Sequence, residues 1–200
     1  MIDLYTWGTG NGLRAAVVLA ESGLEHRVHK VDITKGEHKS PEYARINPSG
    51  VIPAIVDSDG PEGKPVALAQ SGAILLYVAE KCGQFIPKDP MRRAVCYQWF
   101  MQACSDVAGG SGTLFQAENA APDKSIANIE FFRKRLLKSF VYVDRHMVGR
   151  DYIASEVSIA DFALYPPYAQ RRALLPELTN LARWADRMAA RPGVQQGMKL

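Results

Sequence analysis

No two cysteines of this chain stand at Cys-x-x-Cys spacing, and the three present, Cys82, Cys96 and Cys104, are odd in number. A disulfide scaffold and the common zinc patterns are thereby excluded; no metal is expected, and the thiols read as buried, reduced and inert. An excess of one charge is lacking too. Lysine and arginine number 24 against 21 acidic residues, for a formal net charge of +3, and the two signs are interspersed. The short runs Arg133-Lys134-Arg135 and Arg171-Arg172 read as solvated helix faces, so nucleic acid is not an expected partner. No apolar run approaches the roughly 20 residues of a membrane-spanning helix. The chain opens directly on the strand-like Ile2-Asp3-Leu4-Tyr5, with neither a basic n-region nor a cleavage site, from which a cytoplasmic location and no membrane partner are expected. Internal repeats and low-complexity tracts are also missing. What remains, 200 residues with 47% hydrophobic and 22% charged, is ample for one large domain or two small ones.

The pattern changes character near residue 85. Before it, strand-like runs alternate with helices. Ile2 to Trp7 is rich in β-formers; Leu13, Ala16, Val17, Ala20 and Leu24 then recur at helical spacing, with Gly23 as a C-terminal stop. His26 to Val31 alternates as a half-buried strand, and Ser40-Pro41-Glu42 has the form of an N-cap followed by proline at the first helical position. Ala54 to Val56 and Val66 to Leu68 form an antiparallel pair across the Asp, Gly and Pro of residues 57–64. Ser71 to Cys82 is an apolar helix closed by Gly83. The order strand, helix, strand, helix, strand, strand, helix predicts a thioredoxin-like domain over residues 1–83.

After a linker at Gln84 to Pro90 everything reads helical, predicting an all-α domain over residues 91–200. Arg93 to Gln116 and Ile126 to Met147 are long amphipathic stretches, the first with a break expected at Gly109-Gly110-Ser111-Gly112. Ser158-Ile159-Ala160-Asp161 has capping-box spacing with Asp at the acidic position, and Val157 and Phe162 stand as a hydrophobic staple. Leu178, Leu181, Trp184 and Met188 form the stripe of a last helix, ended by Arg191-Pro192-Gly193.

Two stretches carry chemistry. In Asn47-Pro48-Ser49-Gly50-Val51-Ile52-Pro53-Ala54-Ile55-Val56, Pro53 opens an apolar strand, where proline marks a first residue or a turn and a cis bond is cheapest. A cis Ile52-Pro53 bond turns the N–H and C=O of Ile52 outward, ready to pair with an extended ligand backbone. In Gln70-Ser71-Gly72-Ala73-Ile74-Leu75-Leu76-Tyr77, the Ser71 hydroxyl and the free N–H groups of a first helical turn suit a carboxylate. The expected ligand has a peptide backbone and a free carboxylate.

With Thr9-Gly10-Asn11-Gly12 after the first strand and Ser158-Ile159-Ala160-Asp161 in the helical half, these blocks resemble the glutathione transferase superfamily over nearly the whole chain. The Thr-x-Asn signature, Lys35-Gly36-Glu37 and Pro41-Glu42-Tyr43 are most similar to the bacterial nu class, which act as glutathione-dependent disulfide-bond oxidoreductases. The resemblance implies glutathione as cosubstrate, a homodimer, and an acceptor pocket supplied by the helical half. It implies that Thr9 and Asn11 stabilise the glutathione thiolate, with Asn11, His38, Ile52, Gln70 and Ser71 binding glutathione. Electrostatics agree: a thiol at a helix N-terminus, accepting bonds from a hydroxyl and an amide, is shifted toward thiolate. Such a thiolate attacks a disulfide sulfur or a carbon electrophile. Thr9 and Asn11 also suit simple helix capping, and His38 a solvated loop position. Tyr5 lies within the strand pattern and is assigned to the core.

The chain departs from the family pattern at Gly10, where proline is common, and at Gln70, where glutamate is usual. Phe131 stands near where the nu class places an arginine. Two other readings stay open. Gly8-Thr9-Gly10-Asn11-Gly12 with Asp32 about twenty residues later echoes a dinucleotide fingerprint, but Leu13 stands where its third glycine belongs. A non-catalytic binding or interaction protein of the transferase fold is the other.

Overall fold

The computed structural model describes residues 1–175 and 177–200. They form two compact units, one of Met1–Ile86 with Ala189–Leu200, the other of Pro87–Met188.

The first unit is built on a four-stranded sheet of order β2-β1-β3-β4: β1 Ile2–Thr6, β2 His26–Lys30, β3 Ala54–Asp57 and β4 Val66–Ala69. β2 runs parallel to β1, whereas β3 is antiparallel to both β1 and β4. Helix α1 (Gly10–Ser22) starts where the Thr9 hydroxyl caps it and stops at Gly23, whose φ of 71° glycine adopts without steric cost. A short α2 (Pro41–Ala44) is capped by the Ser40 hydroxyl, and α3 (Ser71–Cys82) closes on Gly83. Ile2, Leu4 and Ile55 from the sheet, Leu13, Val17 and Val18 from α1, and Ile74, Leu75 and Val78 from α3 are buried. Burying each such side chain contributes roughly 1.5–3 kcal/mol before chain entropy is counted.

The second unit is helical: α4 Pro90–Gln102, α5 Ala108–Asn119, α6 Ile126–His146, α7 Ile159–Ala169 and α8 Thr179–Ala189. At the start of α7 the fully buried Asp161 carboxylate accepts the Ser158 N–H (2.9 Å), the Ser158 hydroxyl (2.9 Å), the Ile153 N–H (3.0 Å) and the Trp184 indole N–H (2.9 Å). It thereby ties a preceding loop, α7 and α8 together.

Two expectations are corrected. The break expected at Gly109–Gly112 lies one turn earlier, as a π-helical turn over Ala103–Val107, and the glycines continue inside α5. The Ser111 and Thr113 hydroxyls donate back to the Val107 and Gly109 carbonyls, and Gly110 faces the Leu136 side chain. The glycines stay within the helical ladder, and the extra residue of the π turn takes up the irregularity. The second correction is at the C-terminal end. Arg191-Pro192-Gly193 ends α8 but also begins another helix, α9 (Pro192–Gly197), with Pro192 near its start. This helix packs on α1, so Ala189–Leu200 joins the first unit instead of the helical one. The contact is close because α9 offers glycine: a Cβ on Gly197 would lie 2.5 Å from the Val17 Cα.

No helix among the described residues is long and apolar enough to cross a membrane. Nor, among the described residues, is any group of three or more His, Cys, Asp or Glu side chains placed to hold a metal ion.

Candidate functional site

Strand register decides which candidate residues share a neighbourhood. Tyr5 pairs with Ala54 and Ala54 with Ala69, so the end of β1, the start of β3 and the end of β4 lie at one edge of the sheet. β2 runs parallel to β1, with Thr6 opposite Lys30, and therefore leaves the sheet at that same edge. From this edge emerge the Thr9–Asn11 turn, the segment carrying His38, the Ile52-Pro53 bond and the Gln70–Ser71 step into α3.

At the first turn, the Thr9 N–H donates to the Trp7 carbonyl (2.7 Å), and Gly12 seats the start of α1 against the strand end. A Cβ at Gly12 would fall 2.0 Å from the Trp7 carbonyl oxygen, so only glycine allows this turn. The Thr9 Oγ accepts the Gly12 N–H at 3.1 Å. Capping uses only the acceptor side of the hydroxyl, which leaves its O–H as a donor. Asn11 is exposed, and its Oδ1 accepts from Nη1 of the buried Arg14 at 2.9 Å. An arginine can only donate, so this contact fixes which end of the amide is oxygen. The Nδ2 group has no protein partner among the described residues. Two donors therefore stand at the positive end of a helix whose first turn holds no acid.

The Ile52-Pro53 bond is cis. Just before it, the Val51 carbonyl accepts from the Tyr43 hydroxyl (2.8 Å) and the Asn47 amide (2.6 Å), which pins the loop. Asn47, only 3% exposed, also accepts from the Ser49 N–H and hydroxyl, so one side chain shapes the whole Asn47–Gly50 turn. Burial pushes the Tyr43 hydroxyl up to about 12, keeping it a proton donor. Neither the N–H nor the C=O of Ile52 is paired with a described residue, as β-type ligand pairing requires. His38 sits in a short 3-10 turn, Glu37–Lys39. Its Nδ1 is buried with no partner among the described residues, and its carbonyl packs on Gly50.

At α3 the cap is Gln70, with φ 70° and ψ 115° and no capping hydrogen bond from its side chain. This left-handed backbone costs a non-glycine residue about 1–3 kcal/mol, strain of a kind concentrated at ligand sites. It leaves the Ser71 hydroxyl and the first N–H groups of α3 without the acceptor a conventional cap supplies. Ser71 is 9% exposed, so an anion there would be partly shielded from water.

Tyr5 is half-buried against Val31, Tyr43 and Ala54, its ring stacked on His29 at 4.6 Å. The thiols of Cys82 and Cys96 are pushed up by burial, away from the reactive thiolate range. Phe131 is exposed on α6, and Arg133 is engaged by Glu118 and Glu130 inside the helical unit. That unit holds a cavity of about 470 Å³ lined by Ser105, Asp106, Gly109, Phe132, Arg135 and Tyr142 among others. Residues that sequence reasoning missed are Arg14, Tyr43 and Asn47. Arg14 carries a readable signal, a charged side chain three residues after Asn11 within an otherwise apolar helix.

The family model described as glutathione S-transferase, N-terminal domain, matches residues 11–81. The chain is 34% identical over 203 residues to the disulfide-bond oxidoreductase YfcG of Escherichia coli, covering 99% of this chain and 94% of the relative. It is 28% identical to the disulfide-bond oxidoreductase YghU of Escherichia coli, covering 98% of this chain and 73% of the relative. A glutathione transferase from Pseudomonas putida, solved with one glutathione disulfide bound per subunit, superimposes with a TM-score of 0.91 at 32% identity, covering 100% of this chain and 91% of that one. A glutathione transferase family member from Pseudomonas fluorescens, solved with two glutathione bound, gives 0.90 at 29% identity, covering 99% and 92%.

Proposed function

The chain belongs to the glutathione S-transferase family, and from that premise we propose that it is an enzyme using the glutathione thiolate, first to reduce small disulfides and second to conjugate electrophiles. The observation that carries this reading is the pair of unengaged donors, Thr9 Oγ–H and Asn11 Nδ2, at the N-terminus of α1. Residues 1–83 supply the glutathione site and the helical part the acceptor pocket.

The residues present fit glutathione. The outward backbone of Ile52 suits its cysteinyl N–H and C=O, and the start of α3 with Ser71 suits the γ-glutamyl carboxylate. Gln70 offers its amide oxygen to the γ-glutamyl ammonium, and the His38 ring, whose Nδ1 is buried and unpaired, must turn to offer that nitrogen to the ligand. The cysteinyl sulfur then lies toward Thr9 and Asn11. Glutathione's thiol, ordinarily near pKa 8.5, needs only about one or two units of lowering to be mostly thiolate at neutral pH. The thiolate attacks one sulfur of the acceptor disulfide; a new S–S bond forms as the old one breaks, and the leaving thiolate takes a proton from water. A second glutathione thiolate attacks the glutathione sulfur of the mixed disulfide; the S–S bond of oxidised glutathione forms as the mixed disulfide breaks, and the acceptor's second thiolate leaves and is protonated, so two electrons pass from two thiols to one disulfide. The same site serves an electrophile when the thiolate forms one carbon–sulfur bond as a leaving group departs with its electron pair, or as an activated C=C bond opens and its carbanion takes a proton from water.

A cytoplasmic homodimer is part of the proposal, supported by the resemblance to the nu class and tested by sedimentation velocity. The functional test is calorimetric titration with reduced and oxidised glutathione beside a glutathione-dependent assay on a small mixed disulfide. Binding with turnover, lost at least about tenfold in Asn11→Ala and retained in Cys82→Ser, is the expected result. Equal losses in the two variants sink the role of Asn11. No binding at millimolar glutathione leaves a non-catalytic protein of the same fold.

A further inference from the structure

Arg14 is 1% exposed, in the second turn of α1, among residues that are otherwise apolar. Taking a guanidinium out of water carries a desolvation penalty that an aliphatic side chain filling the same volume would not incur. Its Nη1 contact with Asn11 Oδ1, at 2.9 Å, ties this buried cation to an exposed side chain at the proposed sulfur site. An amide held through its oxygen has its nitrogen on the opposite side. Flipped, the amide would set two donors against each other at Arg14 and turn a carbonyl oxygen toward the sulfur, where it would repel a thiolate. An exposed asparagine without this partner has two nearly equivalent settings.

We infer that Arg14 is a positioning residue for the reaction: it clamps the Asn11 amide so that Nδ2, and not Oδ1, meets the glutathione sulfur. The inference rests on the glutathione reading and names a member of the site whose effect is exerted through Asn11. The clamp places a donor where negative charge resides on sulfur and removes the cost of orienting it during the reaction. Arg14 also makes further interactions within the fold, so its test must separate positioning from stability.

The variants are Arg14→Met, Arg14→Lys, Asn11→Ala and the Arg14→Lys/Asn11→Ala double. Three readouts apply to each: ultraviolet titration of the bound glutathione thiol, kcat and KM for a small disulfide, and affinity for S-methylglutathione, which has no ionisable thiol. Clamping predicts that Arg14→Met raises the apparent pKa of the bound thiol and lowers kcat about tenfold, with S-methylglutathione affinity within about twofold of the parent. Arg14→Lys, still a donor, recovers part of the loss. In the Asn11→Ala background Arg14→Lys changes neither the thiol pKa nor kcat, because no amide remains to orient. If Arg14→Met does not fold, Arg14→Lys alone and with Asn11→Ala still close the comparison. An unmoved thiol pKa in Arg14→Lys and Arg14→Met, or equal losses with and without Asn11, overturns the positioning role while glutathione binding stands. Absence of glutathione binding by the unmodified protein removes both readings together.

Discussion

Glu21, on α1, accepts from the guanidinium of Arg191, with Nε at 3.1 Å, across 170 positions of sequence. Its other oxygen takes the Val194 N–H at 3.0 Å, inside the first turn of α9. The Glu21 side chain is only 6% exposed, so this is a shielded pair that also serves a helix start. It seats the C-terminal helix on the element that presents Thr9 and Asn11.

Removing Glu21 costs more than the pair's own worth, since the partly buried Arg191 guanidinium loses its carboxylate and the Val194 N–H loses its acceptor. Glu21→Ala is expected to destabilise the protein by about 2–3 kcal/mol, read as a lower denaturant midpoint. Replacing both partners, as Glu21→Leu with Arg191→Met, should recover part of that loss; a double variant weaker than the sum of the singles sinks the reading.

Two glycines make opposite predictions. Gly197→Leu must drive a side chain into the α1 backbone and is expected to cost about 2 kcal/mol or more. Gly109 lies within α5 with open space where a Cβ would go, so Gly109→Ala should stabilise by up to about 1 kcal/mol. Thermal unfolding of the two single variants, shifting in opposite directions, is the check.

Asp161 links stability to pH. Burial pushes its carboxyl up to about 6, against the downward pull of its donors at Ile153, Trp184 and Ser158. The folded-state value lies above the unfolded one, near 4, so the folded protein holds the proton more tightly between them. This group's contribution is fully present below about pH 4 and is lost as pH rises through about 6. Asp161→Asn removes that linkage, although it also loses an acceptor. The stability difference between parent and Asp161→Asn, measured by denaturant titration, should therefore grow in the parent's favour as pH falls from about 6 to about 4. A difference that stays flat or shrinks contradicts the assignment.

Gln70 sets stability against ligand binding. Gln70→Gly releases the left-handed backbone and is expected to stabilise the protein by about 1 kcal/mol, while glutathione affinity falls with the loss of the amide. Gln70→Glu keeps the strain and restores a charge opposite the γ-glutamyl ammonium, and should tighten binding by roughly one to two kcal/mol. Calorimetric titration of both variants with glutathione, beside their unfolding curves, tests the trade.

Much of the fold is legible locally. Thr9, Ser40 and Ser158 sit at helix starts, Gly23 and Gly83 at helix ends, and alternation with a turn-rich loop marks the pairing of β3 with β4. Each signal acts over a few residues, through hydrogen-bond geometry or an allowed φ, and so is written in the chain. The glycines at 109–112 mislead for the same reason: local propensity suggests a break, whereas α5 runs through them. Helix α9 was unreadable because its partners on α1 lie so far away in sequence.

The sequence alone thus determined the order of elements and the family likeness, and it put forward Thr9, Asn11, Ile52, Gln70 and Ser71 as the proposed glutathione site, since motifs of residue types at short spacing carry that resemblance. Only the tertiary structure decided that one sheet edge gathers those residues, that Ala189–Leu200 belongs with the first unit, and that a buried Arg14 turns the Asn11 amide. The first two outcomes depend on contacts between segments distant in sequence, which no local pattern encodes, while the third needs the burial of Arg14, which its i, i+3 spacing from Asn11 hints at but does not fix.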